Sequence, residues 1–328
     1  MNSDTRSFRW GVLSTAPIAA SAYVPAIQAS GNGHLYSVSS RSPDRAEVFA
    51  GMHGFVRFHE THEELLADPE VDGIYNPMPT SHHYSWTLKC LEAGKPVLCE
   101  KPFCETAVEA EEIRRISQET GVLAVEALMY RHHPLTQTLR DLILKGTIGE
   151  LRMIENSFHA VQNPDSTRFD PALGGGALND LGVYCVSHAC FLAGEFPLDI
   201  RAAGWRGPTG VDESVSMSLR FPSGGVASLN CGIRLPFACD LRVTGTRGRF
   251  EVHDGAMIPR SNDEYCIELT LDGETSQITV PKANHYQLTA EAFVRAVRGE
   301  EEPRPPLEST IATLRVMDEV RSQISGKQ

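Results

Sequence analysis

The chain has 328 residues, 41% hydrophobic and 22% charged, with 27 glycines and 20 prolines, which fits a two-domain globular protein and argues against fibrous or disordered classes. A formal net charge of -12 argues against a general nucleic-acid or acidic-membrane partner. No apolar run approaches the roughly 18 residues of a membrane span, and the start MNSDTRSFRWGVLS lacks the layout of a secretory signal, so a cytoplasmic protein is expected.

In chain order, RWGVLST reads as a strand, AASAYVPAIQAS as a helix, HLYSVSS as a second strand and PDRAEVFAGMHG as a helix closed by Gly54. FVRFH is a third strand; THEELLADPE is a short helix capped by Thr61 with Glu64 three residues on; VDGIYNPMP is a fourth strand. SHHYSWTLKCLEAG ends as a helix at Gly94, PVLCE is a fifth strand, TAVEAEEIRRISQETG a helix ending at Gly121, and VLAVE closes the series. Apolar strands separated by helices predict a doubly wound parallel sheet over residues 1–125.

The grammar changes over 126–328. LRMIENSFHA, DIRAAGWRG, ESVSMSLRFPSG, GVASLNCGIRL, DLRVTGTRG, GRFEVHDG, YCIELTLDG and SQITVPK alternate in strand period, with turns such as PSGG between them. They predict an α+β domain with a mostly antiparallel, open-faced sheet. One helix is expected after the glycines at 174–176, one from about Tyr286 to Val297 and one over ESTIATLRVMDEVRSQI, followed by a frayed tail SGKQ.

The eight cysteines contain no C-x-x-C spacing and read as reduced, packed thiols. The neighbours His82 and His83, like His132 and His133, point apart on a regular element, so no metal site is expected.

The first strand-to-helix turn is where a nucleotide-binding sheet receives a pyrophosphate. Here it runs Ser14, Thr15, Ala16, Pro17, Ile18, with Ser14 and Ala16 where the first two glycines would stand. The second strand ends in Ser40, Arg41 and Ser42, and the first acid, Asp44, falls in the next helix. Hydroxyls and a guanidinium suit a ribose phosphate, which favours NADP over NAD; a surface arginine and a plain turn are the bland alternatives.

CEKPF at 99–103 and GGGALNDLGVY at 174–184, with IYNPMPTSHHY, EALMYRHHP, GTIGE and VDESVSMSLRFPSG in order, carry a resemblance along nearly the whole chain. The sequence resembles the Gfo/Idh/MocA family (glucose-fructose oxidoreductase, inositol dehydrogenase), and within it the NADP-dependent sugar and dihydrodiol dehydrogenases. Many relatives carry histidine where this chain has Tyr184; His188 lies one turn further on.

The resemblance implies a Rossmann domain binding NADP(H), with Ser14, Thr15, Ala16, Pro17, Ile18, Ser40, Arg41, Asn76, Pro77, Pro79, His83, Glu100, Lys101 and Pro102 toward the cofactor, and Glu126 and Arg131 in the cleft. Asp180 and Tyr184, four residues apart, share a helix face, and Lys101 ends a parallel strand at its carboxyl edge. Tyr184 is the expected acid/base, Lys101 the cation lowering its pKa, and Asp180 an orienting group; Arg131, Arg168 and Asp180 are expected toward substrate. The implied reaction is hydride transfer with a pyranose sugar or cyclic polyol, in a homodimer or homotetramer joined through the open sheet. A trans-dihydrodiol substrate, a sugar-sugar oxidoreductase retaining its cofactor, and a non-catalytic cofactor-binding protein remain alternatives.

Overall fold

The computed structural model describes residues 6–261 and 263–325; most of the SGKQ tail and the first five residues of the start lie outside them. Contacts divide the chain into two units. One comprises 1–129 and 286–308, the other 130–285 and 309–328. The expected boundary at 125/126 thus moves a few residues, and a segment near the far end of the chain returns to the first unit.

In the first unit six parallel strands, β1 (Phe8–Leu13), β2 (Gly33–Ser39), β3 (Arg57–His59), β4 (Gly73–Asn76), β5 (Val97–Cys99) and β6 (Ala124–Glu126), lie in the order β3-β2-β1-β4-β5-β6. Reversal of strand order between β1 and β4 is the switch point at which such sheets open a ligand crevice beyond their carboxyl ends. The helices are α1 (Val24–Ala29), α2 (Pro43–His53), α3 (His62–Ala67), α4 (Thr80–Glu92) and α5 (Ala107–Thr120). Local signals act as expected: Thr61 Oγ1 accepts the Glu64 N–H at 3.1 Å while the Glu64 carboxylate accepts the Glu60 N–H at 3.1 Å. Gly54 and Gly121 close α2 and α5 in the left-handed region. The helix expected over AASAYVPAIQAS opens with a π turn, Ala19–Tyr23, before α1.

The core of this unit gathers Trp10, Val12, Ile27, Val38 and Tyr75. The returning segment lays Phe293 against Trp10 at 5.1 Å and against the edge of Phe8 at 6.2 Å, covering one sheet face with apolar area.

The second unit holds α6 (Pro134–Leu144), α7 (Val183–Ala193) and the strands β7 (Leu151–Val161), β8 (Asp199–Arg206), β9 (Asp212–Arg220), β10 (Val226–Gly232), β11 (Arg234–Gly245), β12 (Gly248–Val252), β13 (Tyr265–Leu271) and β14 (Glu274–Val280). They form one sheet in the order β14-β13-β12-β11-β7-β10-β9-β8. All pairs are antiparallel except β7 with β10. The chain ends with α8 (His285–Val297) and α9 (Leu307–Ile324). Gln323 of α9 bonds both the Ala202 N–H and the Ile200 carbonyl of edge strand β8. α6 was not expected, and the runs read as GVASLNCGIRL and DLRVTGTRG regroup, because β11 continues through a bulge between Arg234 and Ala238. No helix among the described residues is long and apolar enough to cross a membrane.

Candidate active site

In the first unit the phosphate-type turn keeps the backbone course of glycine without the glycine. Ser14, directly beyond β1, has φ 91°, a region that side-chain-bearing residues rarely enter. Its N–H donates to the Ser39 carbonyl at 2.8 Å, and the Ala16 carbonyl accepts the N–H groups of Ala19 and Ala20 at 3.0 and 3.3 Å. Thr15, Ala16 and Ile18 are half-buried and Pro17 is exposed. Small residues at a positive-φ turn running straight into a helical segment fit a dinucleotide.

Arg41 is exposed at the end of β2, where Ser40 Oγ accepts the Ser42 N–H at 3.4 Å, and Asp44 lies in the first turn of α2. The sequence reading missed Arg45. From α2 its Nη2 donates to Thr15 Oγ1 at 3.4 Å, bringing a second guanidinium to the loop; its place four residues after Arg41 was the available signal.

Asn76 and His83 organise the turn after β4. Asn76 is fully buried, its Oδ1 accepting the Met78 N–H at 3.3 Å, and Pro77 and Pro79 shape the same turn into α4, which starts at Thr80. The buried His83 ring lies with Nδ1 2.7 Å from the Pro102 carbonyl and Nε2 2.6 Å from that of Met78. Burial dominates and pushes its pKa down to about 4, so one nitrogen carries the proton and donates. His83 therefore donates to one of two carbonyls, that of Pro102, next to the cis Lys101–Pro102 bond, or that of Met78.

Lys101 follows β5 at its carboxyl end and is half-buried. The buried Glu100 carboxylate accepts Tyr75 Oη–H at 2.8 Å and the Lys101 N–H at 3.2 Å. Glu126, at the end of neighbouring β6, accepts the Phe103 N–H at 3.1 Å. Both carboxylates therefore brace the main chain of the Lys101 turn from two strands.

In the second unit the glycine triplet feeds the segment bearing Asp180 and Tyr184. Gly174 and Gly176 have φ 75° and 124°. A Cβ on Gly176 would meet Asp212 Oδ1 at 2.4 Å, since Asp212 closes in to accept the Leu178 N–H at 2.6 Å. Asp212 is a further residue that sequence reasoning missed, half-buried and pushed up in pKa by desolvation. Asp180 lies in a π turn, Leu178–Gly182, that continues into α7. Arg168 Nε donates to Asp180 Oδ2 at 2.6 Å, with side chains 41% and 11% exposed, so the more buried carboxylate is oriented by the guanidinium.

Tyr184 is buried, its ring 5.5 Å from Phe158 and 6.1 Å from Tyr130, and Tyr130 shares a 2.7 Å hydrogen bond with Ser187. His188 is fully buried; desolvation first, then the Arg131 charge, push its pKa down to about 3. Arg131 is buried with its guanidinium 3.9 Å over the Phe191 ring, and its carbonyl accepts Gln137 Nε2 at 2.6 Å. These contacts fix the Arg131 main chain and stack its guanidinium on an aromatic face.

One group among the described residues, Glu251, His253 and Glu268, brings possible metal-ligand atoms within 4.8 Å. Glu251 is already paired with Arg242, and Arg249 lies 3.7 Å away, so its charge is balanced without an ion.

Residues 8–127 match the oxidoreductase family with an NAD-binding Rossmann fold, and 136–251 match the GFO/IDH/MocA C-terminal domain. The chain is 32% identical over 314 residues to D-xylose 1-dehydrogenase (NADP(+)) 2 of Haloferax volcanii, covering 95% of each. It is 32% identical over 279 residues to trans-1,2-dihydrobenzene-1,2-diol dehydrogenase of Sus scrofa, covering 84% of this chain and 81% of that protein. The structure of KijD10, a 3-ketoreductase from Actinomadura kijaniata in complex with NADP and TDP-benzene, superposes with TM-score 0.92 at 28% identity, covering 97% of this chain and 98% of the other. With both units matched and these relatives spanning most of its length, the chain belongs to the Gfo/Idh/MocA family of NAD(P)-binding oxidoreductases.

Proposed function

We propose that this protein is an NADP(H)-dependent dehydrogenase or ketoreductase acting on a hydroxyl or keto carbon of a pyranose sugar or related cyclic polyol. The observation that carries the reading is the Asp180–Tyr184 segment: a phenol one turn beyond a carboxylate held by Arg168 at 2.6 Å, on a helix start anchored by Asp212. The D-xylose 1-dehydrogenase and the 3-ketoreductase solved with NADP and TDP-benzene support it.

The nicotinamide supplies hydride exchange when bound. In the oxidative direction Tyr184 takes the substrate hydroxyl proton, and in reduction it returns that proton to the carbonyl oxygen. Lys101 is assigned the cation's part in this chemistry, since an ammonium stabilises a phenolate and hydrogen-bonds a reacting oxygen. Asp180 accepts from a neighbouring substrate hydroxyl, and a site built this way rejects analogues lacking that hydroxyl. Arg41, with Arg45 beside it, holds the adenosine-side phosphate and selects NADP(H). A trans-dihydrodiol is the second substrate reading, favoured by the 32% identity with the pig enzyme; it presents the same vicinal hydroxyl pair.

The deciding experiment is a fluorescence titration with NADPH and NADH in parallel, followed by a sugar and dihydrodiol screen with NADP. Tight NADPH with weak NADH binding is expected, and Arg41→Ala should erase much of that difference. Equal affinities would overturn the NADP assignment.

The open sheet joins copies of this chain in the same reading. Met153, Val161, Trp205 and Phe237 on its strands are 40%, 73%, 64% and 49% exposed in the single chain, an apolar set that a second copy would cover. Light scattering should give a dimer or tetramer mass, and Trp205→Glu should lower it; a monomeric wild-type protein would sink this part.

A further inference from the structure

The end of β2 carries a buried hydrogen bond that the proposed chemistry does not use. Ser39, its last residue, is fully buried, and its Oγ lies 2.7 Å from His62 Nδ1 at the start of α3. The His62 ring is wedged from α4 by the edge of Trp86 at 4.9 Å, and Lys89 Nζ sits 3.9 Å over that indole while pairing with Glu63 at 2.8 Å. Burial lowers the His62 pKa; Glu63 opposes this, while Lys89 and Arg41 add to it. The ring therefore stays neutral close to Arg41, a hydrogen-bonding partner rather than a third positive charge.

Ser39 is a junction. Its carbonyl holds the Ser14 N–H of the phosphate-type turn at 2.8 Å, while the next three residues form the Ser40–Arg41–Ser42 turn into α2. The main chain of Ser39 is fixed on both sides, paired with Leu13 of β1 and His59 of β3. Its side chain, one residue before Ser40 and two before Arg41, has His62 as hydrogen-bond partner.

We propose that His62 is a positioning residue for cofactor choice: by holding the Ser39 hydroxyl it sets the turn that presents Arg41 to the adenosine-side phosphate of NADPH. This rests on the NADP(H) reading above. The Ser14 turn depends on the Ser39 carbonyl, which the sheet holds without His62, so contacts shared with NADH are spared.

The test is a set of NADPH and NADH dissociation constants, with a Tm for each protein, for wild type, His62→Phe, Ser39→Ala, their double variant and His62→Asn. His62→Phe keeps a ring and removes the bond; His62→Asn places an amide near the Nδ1 position. His62→Phe and Ser39→Ala should each cut the NADPH-over-NADH preference about fivefold or more, mainly through weaker NADPH binding, and His62→Asn should restore it to within about twofold. Because both changes break one bond, the double variant should lose no more than either alone. A fall in Tm with an unchanged preference, or losses that add, would overturn the proposal. Should His62→Phe fail to fold, Ser39→Ala, which removes one oxygen, carries the same expectation. A wild-type protein without NADPH preference would overturn the cofactor reading itself, whereas wild-type preference with insensitive variants overturns only the role of His62.

Discussion

Tyr184 and Lys101 are the residues on which turnover is expected to depend most. An unperturbed phenol titrates near about 10, too high for an efficient base at neutral pH, and a nearby ammonium lowers it. Tyr184→Phe keeps the ring between Phe158 and Tyr130 and removes only the proton carrier. Turnover should fall by about 100-fold or more while the NADPH dissociation constant stays within about twofold. Lys101→Ala should lower turnover too and, on the role proposed for it, move the pH optimum of oxidation upward. Steady-state kinetics against pH check both; a Tyr184→Phe protein with full activity would remove the phenol from the mechanism. His188 is a poor substitute, since burial holds its pKa near 3 and its ring faces Asn156 at 3.4 Å. These positions were legible from motif spacing. The Arg168–Asp180 ion pair was not, because its geometry depends on how the loop before the glycine triplet folds back.

At the scale of elements, the phosphate-type turn is the place where local preference and structure disagree. Ser14 at φ 91° holds a conformation costing about 1–3 kcal/mol for a residue with a side chain. Glycine takes it freely but loses more entropy on folding, about 0.5–1 kcal/mol. Ser14→Gly should therefore stabilise the protein by about 1 kcal/mol, raise Tm and leave NADPH affinity equal or tighter. A lower Tm would mean that the Ser14 side chain makes a compensating contact. The capped helices were readable because caps act within one turn: Thr61 with Glu64, Gly54 and Gly121 behave as their residue types dictate. α6 was equally local in principle, with Pro134 at its start and Leu135 and Leu139 buried four apart, but it lies among strand-like alternation and went unassigned. β11 is different in kind. Its continuity past the Arg234/Ala238 bulge is decided by pairing with β7, a partner some eighty residues away.

For the molecule as a whole, burial lowers the pKa of several histidines among the described residues, and most at His83 and His133, down to about 4, and at His188 and His285, to about 3. Their unfolded pKa is about 6.5, so the unfolded chain takes up protons first as pH falls. Stability should be unaffected by these groups above that value, decline as pH drops below it, and level off below the folded values. At roughly 1.4 kcal/mol per unit, His83 alone contributes on the order of 3 kcal/mol to that decline. Urea unfolding between pH 7 and 4 measures it, and a flat profile would show that these rings are solvated or charged in the fold.

The sequence by itself determined the class of each unit and the family. Strand period, helix caps and glycine spacing are set by near neighbours and survive being read in one dimension. The tertiary structure alone decided that residues 286–308 return to the first unit, that Arg45 reaches Thr15, that Asp212 anchors the helix start at Leu178, and that the Arg131 guanidinium stacks on Phe191. Each is a meeting of residues distant in sequence or on different elements. Such contacts form only when the apolar faces have chosen their partners, and no local pattern records that choice.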